Sequence, residues 1–125
     1  MSRVFLLEVH SVFRRSLAFL LERESHLEVV SQAGSLSETR QTISKEWDEI
    51  DIAIVDILLP DGAGTELIGE MREANPSLRV LALTLVQEPR ALAKAQAMGV
   101  DEVVSKAAPT QEIVDAVKRL VGRCE

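Results

Sequence analysis

Polar residues of four kinds stand at the ends of short apolar runs. Glu8 follows Val4-Phe5-Leu6-Leu7, Asp56 follows Ile52-Ala53-Ile54-Val55, Thr84 follows Val80-Leu81-Ala82-Leu83, and Lys106 lies just past Val103-Val104. Two carboxylates can hold a hard divalent cation. A hydroxyl and an ammonium can bind the oxygens of a phosphoryl group. A carboxylate among them can itself accept that group. Taken singly, each residue has an ordinary structural reading. Asp56 can cap the following turn, Thr84 is a β-former, Lys106 is a solvated charge, and Glu8 can cap a helix that begins near His10. The weight lies in their coincidence at the ends of separate runs. Competing signatures are missing from the sequence. No G-x-G-x-x-G follows the first run and no G-x-x-x-x-G-K-[ST] occurs, which disfavours dinucleotide and P-loop sites. His10 and His26 are not at metal-ligand spacing, and His10 reads as a helix N-terminal residue. Cys124 has no C-x-x-C partner, and no serine sits in a strained turn suited to a nucleophile.

These residues need elements to position them. Val4–Leu7, Leu27–Val30, Ile52–Val55, Arg79–Leu83 and Val103-Val104 read as five strands, the second ending before Ala33-Gly34. Between them the apolar residues recur at helical spacing. From His10 to about Glu24, Phe13, Leu17, Leu20 and Leu21 share one face, with Arg14 and Arg15 on a solvated one. A thin helix over about 36–46 opens with the capping-box spacing of Ser35 and Glu38, and Trp47 closes it. Pro60-Asp61-Gly62-Ala63-Gly64 reads as a loop. A helix over about 65–74 carries Leu67, Ile68 and Met71 inward. A further face of Ala91, Leu92, Ala95 and Met98 stops at Gly99. A last helix starts near Pro109 and carries Ile113, Val114, Val117, Leu120 and Val121. The strands are continuously apolar, without the period-two pattern of a half-wet sheet. Alternation of such strands with helices predicts a parallel sheet covered on both faces. The leading topology is the flavodoxin-like doubly wound (βα)5 order 2-1-3-4-5, whose ligands sit outside the carboxyl ends of the strands. In that topology the four polar residues converge on one edge.

Composition limits the function. The chain has 125 residues, 46% hydrophobic and 27% charged, as expected of one domain with its own core. The formal net charge of −6 disfavours direct nucleic-acid binding, because phosphate neutralisation needs clustered Lys and Arg. Aromatic content is 3% with no Tyr, so base-stacking platforms are not expected. A lone Cys excludes a disulfide scaffold, and a cytoplasmic protein is expected. No apolar run approaches the ~20 residues that span a bilayer, and Met1-Ser2-Arg3-Val4 lacks signal-peptide anatomy.

The spacing D-x-x-x-P-x-x-x-G in Asp56-Ile57-Leu58-Leu59-Pro60-Asp61-Gly62-Ala63-Gly64 is specific. With Arg3–His10, Leu27–Val30, Val80–Thr84, Ala97–Asp101 and Ser105-Lys106, it resembles the receiver domain of two-component response regulators. It is especially similar to receivers carrying a C-terminal helix-turn-helix of the LuxR type. The resemblance covers the whole chain, 1–125. It implies that Asp56 is phosphorylated by a sensor histidine kinase. It implies that Glu8, Asp56 and the backbone carbonyl of Leu58 hold Mg²⁺, that Thr84 senses the phosphoryl group, and that Lys106 pairs with a phosphoryl oxygen. It also implies a homodimer through the last two helices and the fifth strand, and DNA binding only through a further C-terminal domain. Receivers are not enzymes in the ordinary sense, although they promote their own phosphotransfer.

Three departures bear on this. The family usually has two adjacent acids after the first strand, and here the second place is Val9, which cannot coordinate Mg²⁺. The aromatic common on the fifth strand is Val103, whose β-branched side chain has no comparable swing. Ala107 replaces the frequent Pro after the lysine. Two readings follow: a phosphorylated receiver with a weakened metal site, or a phosphorylation-independent module for dimerisation or docking. A flavin-binding domain is a third, opposed by the lack of Trp or Tyr near the strand ends and of a Ser/Thr-rich phosphate loop.

Overall fold

The computed structural model describes residues 1–42, 46–59, 62–84 and 89–122. Its strands are β1 (Ser2–Leu7), β2 (Leu27–Ala33), β3 (Ile52–Asp56), β4 (Arg79–Thr84) and β5 (Glu102–Ser105). Its helices are α1 (Ser11–Glu22), α2 (Leu36–Thr42), α3 (Gly64–Ala74), α4 (Pro89–Ala97) and α5 (Thr110–Gly122). The strands form one parallel sheet in the order β2-β1-β3-β4-β5, the flavodoxin-like winding the sequence predicts.

The continuous apolar runs are explained by burial on both faces. Val4, Leu6, Ile52, Ile54, Leu81 and Leu83 point to one side, where Leu17 and Leu21 of α1 and Ile113, Val117 and Leu120 of α5 cover them. Phe5, Leu7, Ala53, Val55 and Val80 point to the other, against Leu36 of α2 and Leu67, Ile68 and Met71 of α3. A residue of the central strands therefore meets a helix on either face, and the buried polar side chains Glu8, Asp56 and Thr84 stand at or just past strand ends. Trp47 is buried there and meets Phe5 edge to face at 5.4 Å between centroids.

Some boundaries differ from the sequence reading. β2 runs on through Ser31 and Gln32 to Ala33, because an edge strand tolerates polar residues; a register shift lets Val4 face Val29 while Phe5 faces Ser31. Gly62-Ala63 are not plain loop: they pair antiparallel with Leu58-Leu59 just past β3. α2 ends at Thr42, and the rest of the expected helix at 43–45 lies outside the described residues, as do Pro60, Asp61 and Cys124. Trp47 opens a short 3-10 turn rather than closing that helix. Half of the expected capping box is present, with the Glu38 N–H donating to Ser35 Oγ at 3.1 Å. Gly99 ends the α4 region with φ +83°, a conformation that glycine adopts without steric cost. At the amino-terminal edge of the sheet, Asp101 accepts from the Val80 N–H at 2.8 Å and from Arg72 at 3.0 Å, fixing the start of β5.

Candidate functional site

Parallel pairing puts every strand's carboxyl end on one edge, and the hydrogen-bond ladder sets the residues there side by side. The Glu8 N–H donates to the Ala33 carbonyl at 3.0 Å, the Ile57 N–H to Leu83 at 3.0 Å, and the Lys106 N–H to Thr84 at 2.8 Å. Among the described residues the buried polar side chains are Glu8, Asp56, Thr84 and Thr39. Three of these are the strand-end residues singled out from the sequence. The fourth strand-end residue, Lys106, has its side chain only 5% exposed and joins the acids.

Lys106 Nζ donates to Glu8 Oε1 at 2.7 Å and to Asp56 Oδ2 at 2.9 Å. His10 Nδ1 lies 3.3 Å from the same ammonium and 3.2 Å from Glu8 Oε1. The ammonium also sits 5.8 Å from the centroid of the Phe13 ring, within cation–π range. Burial alone would lower the Lys106 pKa. The hydrogen bonds and charges of Glu8 and Asp56 outweigh burial and hold it above the ordinary lysine value.

Glu8 is fixed by more than Lys106. Its Oε1 accepts the N–H of His10, the residue before α1, at 3.0 Å, but no side chain caps the first turn of that helix, so the capping role open to Glu8 from sequence is not the one it fills. Its backbone carbonyl accepts from Arg14 Nη1 at 2.7 Å. Its Oε2 is buried without a hydrogen-bond partner among the described residues.

The D-x-x-x-P-x-x-x-G spacing gains a physical reason at its last residue. A Cβ on Gly64 would lie 2.1 Å from the Asp56 carbonyl oxygen and 2.8 Å from Val55 Cγ1. The Gly64 N–H donates to the Ile57 carbonyl at 2.8 Å. The first turn of α3 is thus pressed against the backbone that carries Asp56, and only glycine allows that approach.

The match to known proteins agrees with this geometry. The model of the response regulator receiver domain matches residues 4–118. The chain belongs to the response regulator receiver family. Over 118 residues it is 36% identical to the DNA-binding transcriptional activator DevR/DosR of Mycobacterium tuberculosis, covering 94% of this chain and 54% of that protein. It is 27% identical to the response regulator protein VraR of Staphylococcus aureus, covering 94% and 55%. A crystal structure of a LuxR-family DNA-binding response regulator from Staphylococcus aureus superposes with a TM-score of 0.85 at 20% identity, covering 97% of this chain and 99% of that one. The chain spans about half the length of the curated relatives it matches.

Receivers of this family generally bind Mg²⁺ where the phosphoryl group is transferred, so the donor set here has to be tried against that ion. Mg²⁺ demands near-octahedral oxygen ligation. The pocket supplies the carboxylates of Glu8 and Asp56, with Leu58 two residues on, and the sequence has Val9, which carries no ligating atom on its side chain, where the family usually has a further acid. Among the described residues no cluster of three His, Cys, Asp or Glu side chains could hold a metal. Each of the two carboxylates already binds the same ammonium. The residues present do not fit a dedicated Mg²⁺ site.

Sequence reasoning missed two contributors. Arg14, read as part of a solvated face, ties the Glu8 backbone; Gly34 gives it room, since a Cβ there would lie 2.7 Å from Arg14 Nη1. His10, read as a helix N-terminal residue, does hold that position but also turns its ring to Glu8 and Lys106. The available signal was position alone: both lie within six residues of a strand-end acid, at the start of the next helix.

Proposed function

We propose that this receiver accepts a phosphoryl group on Asp56 from a phosphohistidine of a sensor histidine kinase, and that the modified domain controls a DNA-binding output domain elsewhere in the protein. The carrying observation is the buried Asp56 carboxylate held 2.9 Å from the Lys106 ammonium at the carboxyl edge of a doubly wound sheet. An Asp56 oxygen attacks phosphorus as the P–N bond breaks. The electron pair returns to the imidazole, which takes up a proton, and an acyl phosphate remains. Lys106 compensates the charge on the transferred group, the electrostatic work such a site must do. Thr84, buried at the end of the neighbouring strand, supplies a hydroxyl for a phosphoryl oxygen.

The added charge acts as a local switch with a distant readout. Val103 lines β5 beside Ala82, Ala95 and Ile57, so the response travels through small apolar contacts rather than an aromatic swing. Homodimerisation through α4, β5 and α5 is the readout this reading favours. DNA contact falls to the output domain, because this chain carries a formal net charge of −6. On this reading the domain works in the cytoplasm and is not an enzyme in the ordinary sense. Among the described residues no helix is long and apolar enough to cross a membrane.

The reading is tested by incubating the chain with acetyl phosphate in Mg²⁺-containing buffer and measuring intact mass. One phosphoryl increment, absent in Asp56→Asn, is expected. No increment in the wild type would overturn it.

A further inference from the structure

We infer that Lys106 is the resident cation of this pocket and that phosphoryl acceptance at Asp56 needs no divalent metal. The inference rests on Asp56 being the acceptor, and its test separates the two claims.

The argument is one of charge and room. Glu8 and Asp56 bring two buried negative charges, and Lys106 brings one positive charge bonded to both. With Val9 in place of a further acid, the three groups sum to −1, a balance that a divalent cation would overshoot. An entering Mg²⁺ would either displace the ammonium from both oxygens or stand beside it as a second cation in a nearly dry site. The ammonium is held against displacement. Two of the three ammonium N–H donors go to Glu8 Oε1 and Asp56 Oδ2 at 2.7 and 2.9 Å, and the His10 ring nitrogen Nδ1 lies 3.3 Å away. The Phe13 ring lies behind it. Mg²⁺ would have to shed water to enter, and the apolar Val9 offers nothing in return. The ammonium is by contrast already desolvated and already on the reacting carboxylate. It can pass from Asp56 Oδ2 to a phosphoryl oxygen as that group arrives, and so meet the developing charge without a metal ion.

Two measurements decide this. MgCl2 is titrated into the chain by isothermal calorimetry, and Asp56 labelling by acetyl phosphate is timed in Mg²⁺ and in excess EDTA. The wild type is expected to show no saturable heat into the millimolar range. Its labelling rate in EDTA should stay within about threefold of that in Mg²⁺, where an essential Lewis acid would be worth several powers of ten. Lys106→Met should slow labelling about 100-fold or more in both buffers, the scale for removing one preorganised charge-stabilising donor. Lys106→Arg, which keeps the charge if the neutral variant folds poorly, should retain part of the rate. Val9→Asp should gain saturable Mg²⁺ binding. Saturable wild-type binding at submillimolar Mg²⁺, or loss of labelling in EDTA, would overturn the inference. Val9→Asp failing to gain binding would overturn its charge argument. Wild type unlabelled in both buffers would remove the acceptor role itself, while the calorimetry still decides whether Lys106 excludes the metal.

Discussion

Removing the Lys106 ammonium while keeping the length of its stem is the sharpest perturbation of the pocket. Lys106→Met leaves Glu8 fully buried and Asp56 3% exposed, two carboxylates stripped of the cation both had bound at 2.7 and 2.9 Å. Breaking a buried pair by deleting one partner costs about 3–5 kcal/mol, because a desolvated charge is left uncompensated. Domains of this size are stable by about 5–15 kcal/mol, so the loss is a large share. With a urea m-value of about 2 kcal/mol per M, the unfolding midpoint should fall by about 2 M with the slope unchanged. Trp47, the sole tryptophan and buried beside Phe5, reports the transition by fluorescence. A loss below about 1 kcal/mol at pH 8, the range of an exposed ion pair, would refute the view of Lys106 as the buried counter-ion of both acids.

Other outcomes follow from the same geometry. Gly64→Ala drives a methyl group to 2.1 Å from the Asp56 carbonyl, so overpacking should cost about 1–3 kcal/mol in urea denaturation and slow labelling at Asp56; a neutral effect would mean the close approach is not needed. The folded-state pKa of Lys106 is raised, so its contribution is complete below the unfolded lysine value of about 10.4 and is lost as pH rises through the higher folded value. Wild-type midpoints should accordingly drop at strongly alkaline pH, and Lys106→Met should lack that component of the drop. Asp101→Ala removes the carboxylate that pairs with Arg72 and accepts the Val80 N–H at the opposite edge of the sheet, while Arg72 keeps the Leu78 and Gly99 carbonyls. It should destabilise by about 1–3 kcal/mol while leaving the labelling rate of the folded fraction unchanged.

The strands were legible because burial on both faces forces unbroken apolar runs, and the strand-end polar residues were legible because nothing else interrupts those runs. Topology then did the rest: once the sheet is parallel, Glu8, Asp56, Thr84 and Lys106 must share an edge. What could not be read was the direction of side chains from neighbouring helix starts. His10 just before α1 and Arg14 in its first turn carry no pattern to distinguish them from solvated residues, and only the folded structure shows that they turn toward Glu8. Val9 could be seen as a missing acid, but a sequence does not show which cation compensates the acids that remain. β2 was read short because Ser31 and Gln32 break its apolar run, although an edge strand needs no such continuity.

The central claim is that Asp56 is a phosphoacceptor whose charge is balanced by Lys106. It is tested most directly by mapping the phosphoryl group by mass spectrometry after acetyl phosphate treatment of wild type, Asp56→Asn and Lys106→Met, each with and without EDTA. The account predicts modification at Asp56 alone, at similar rates with and without chelator, absent in Asp56→Asn and slowed about 100-fold or more in Lys106→Met. Modification of another residue, or none at Asp56 under either condition, would contradict it.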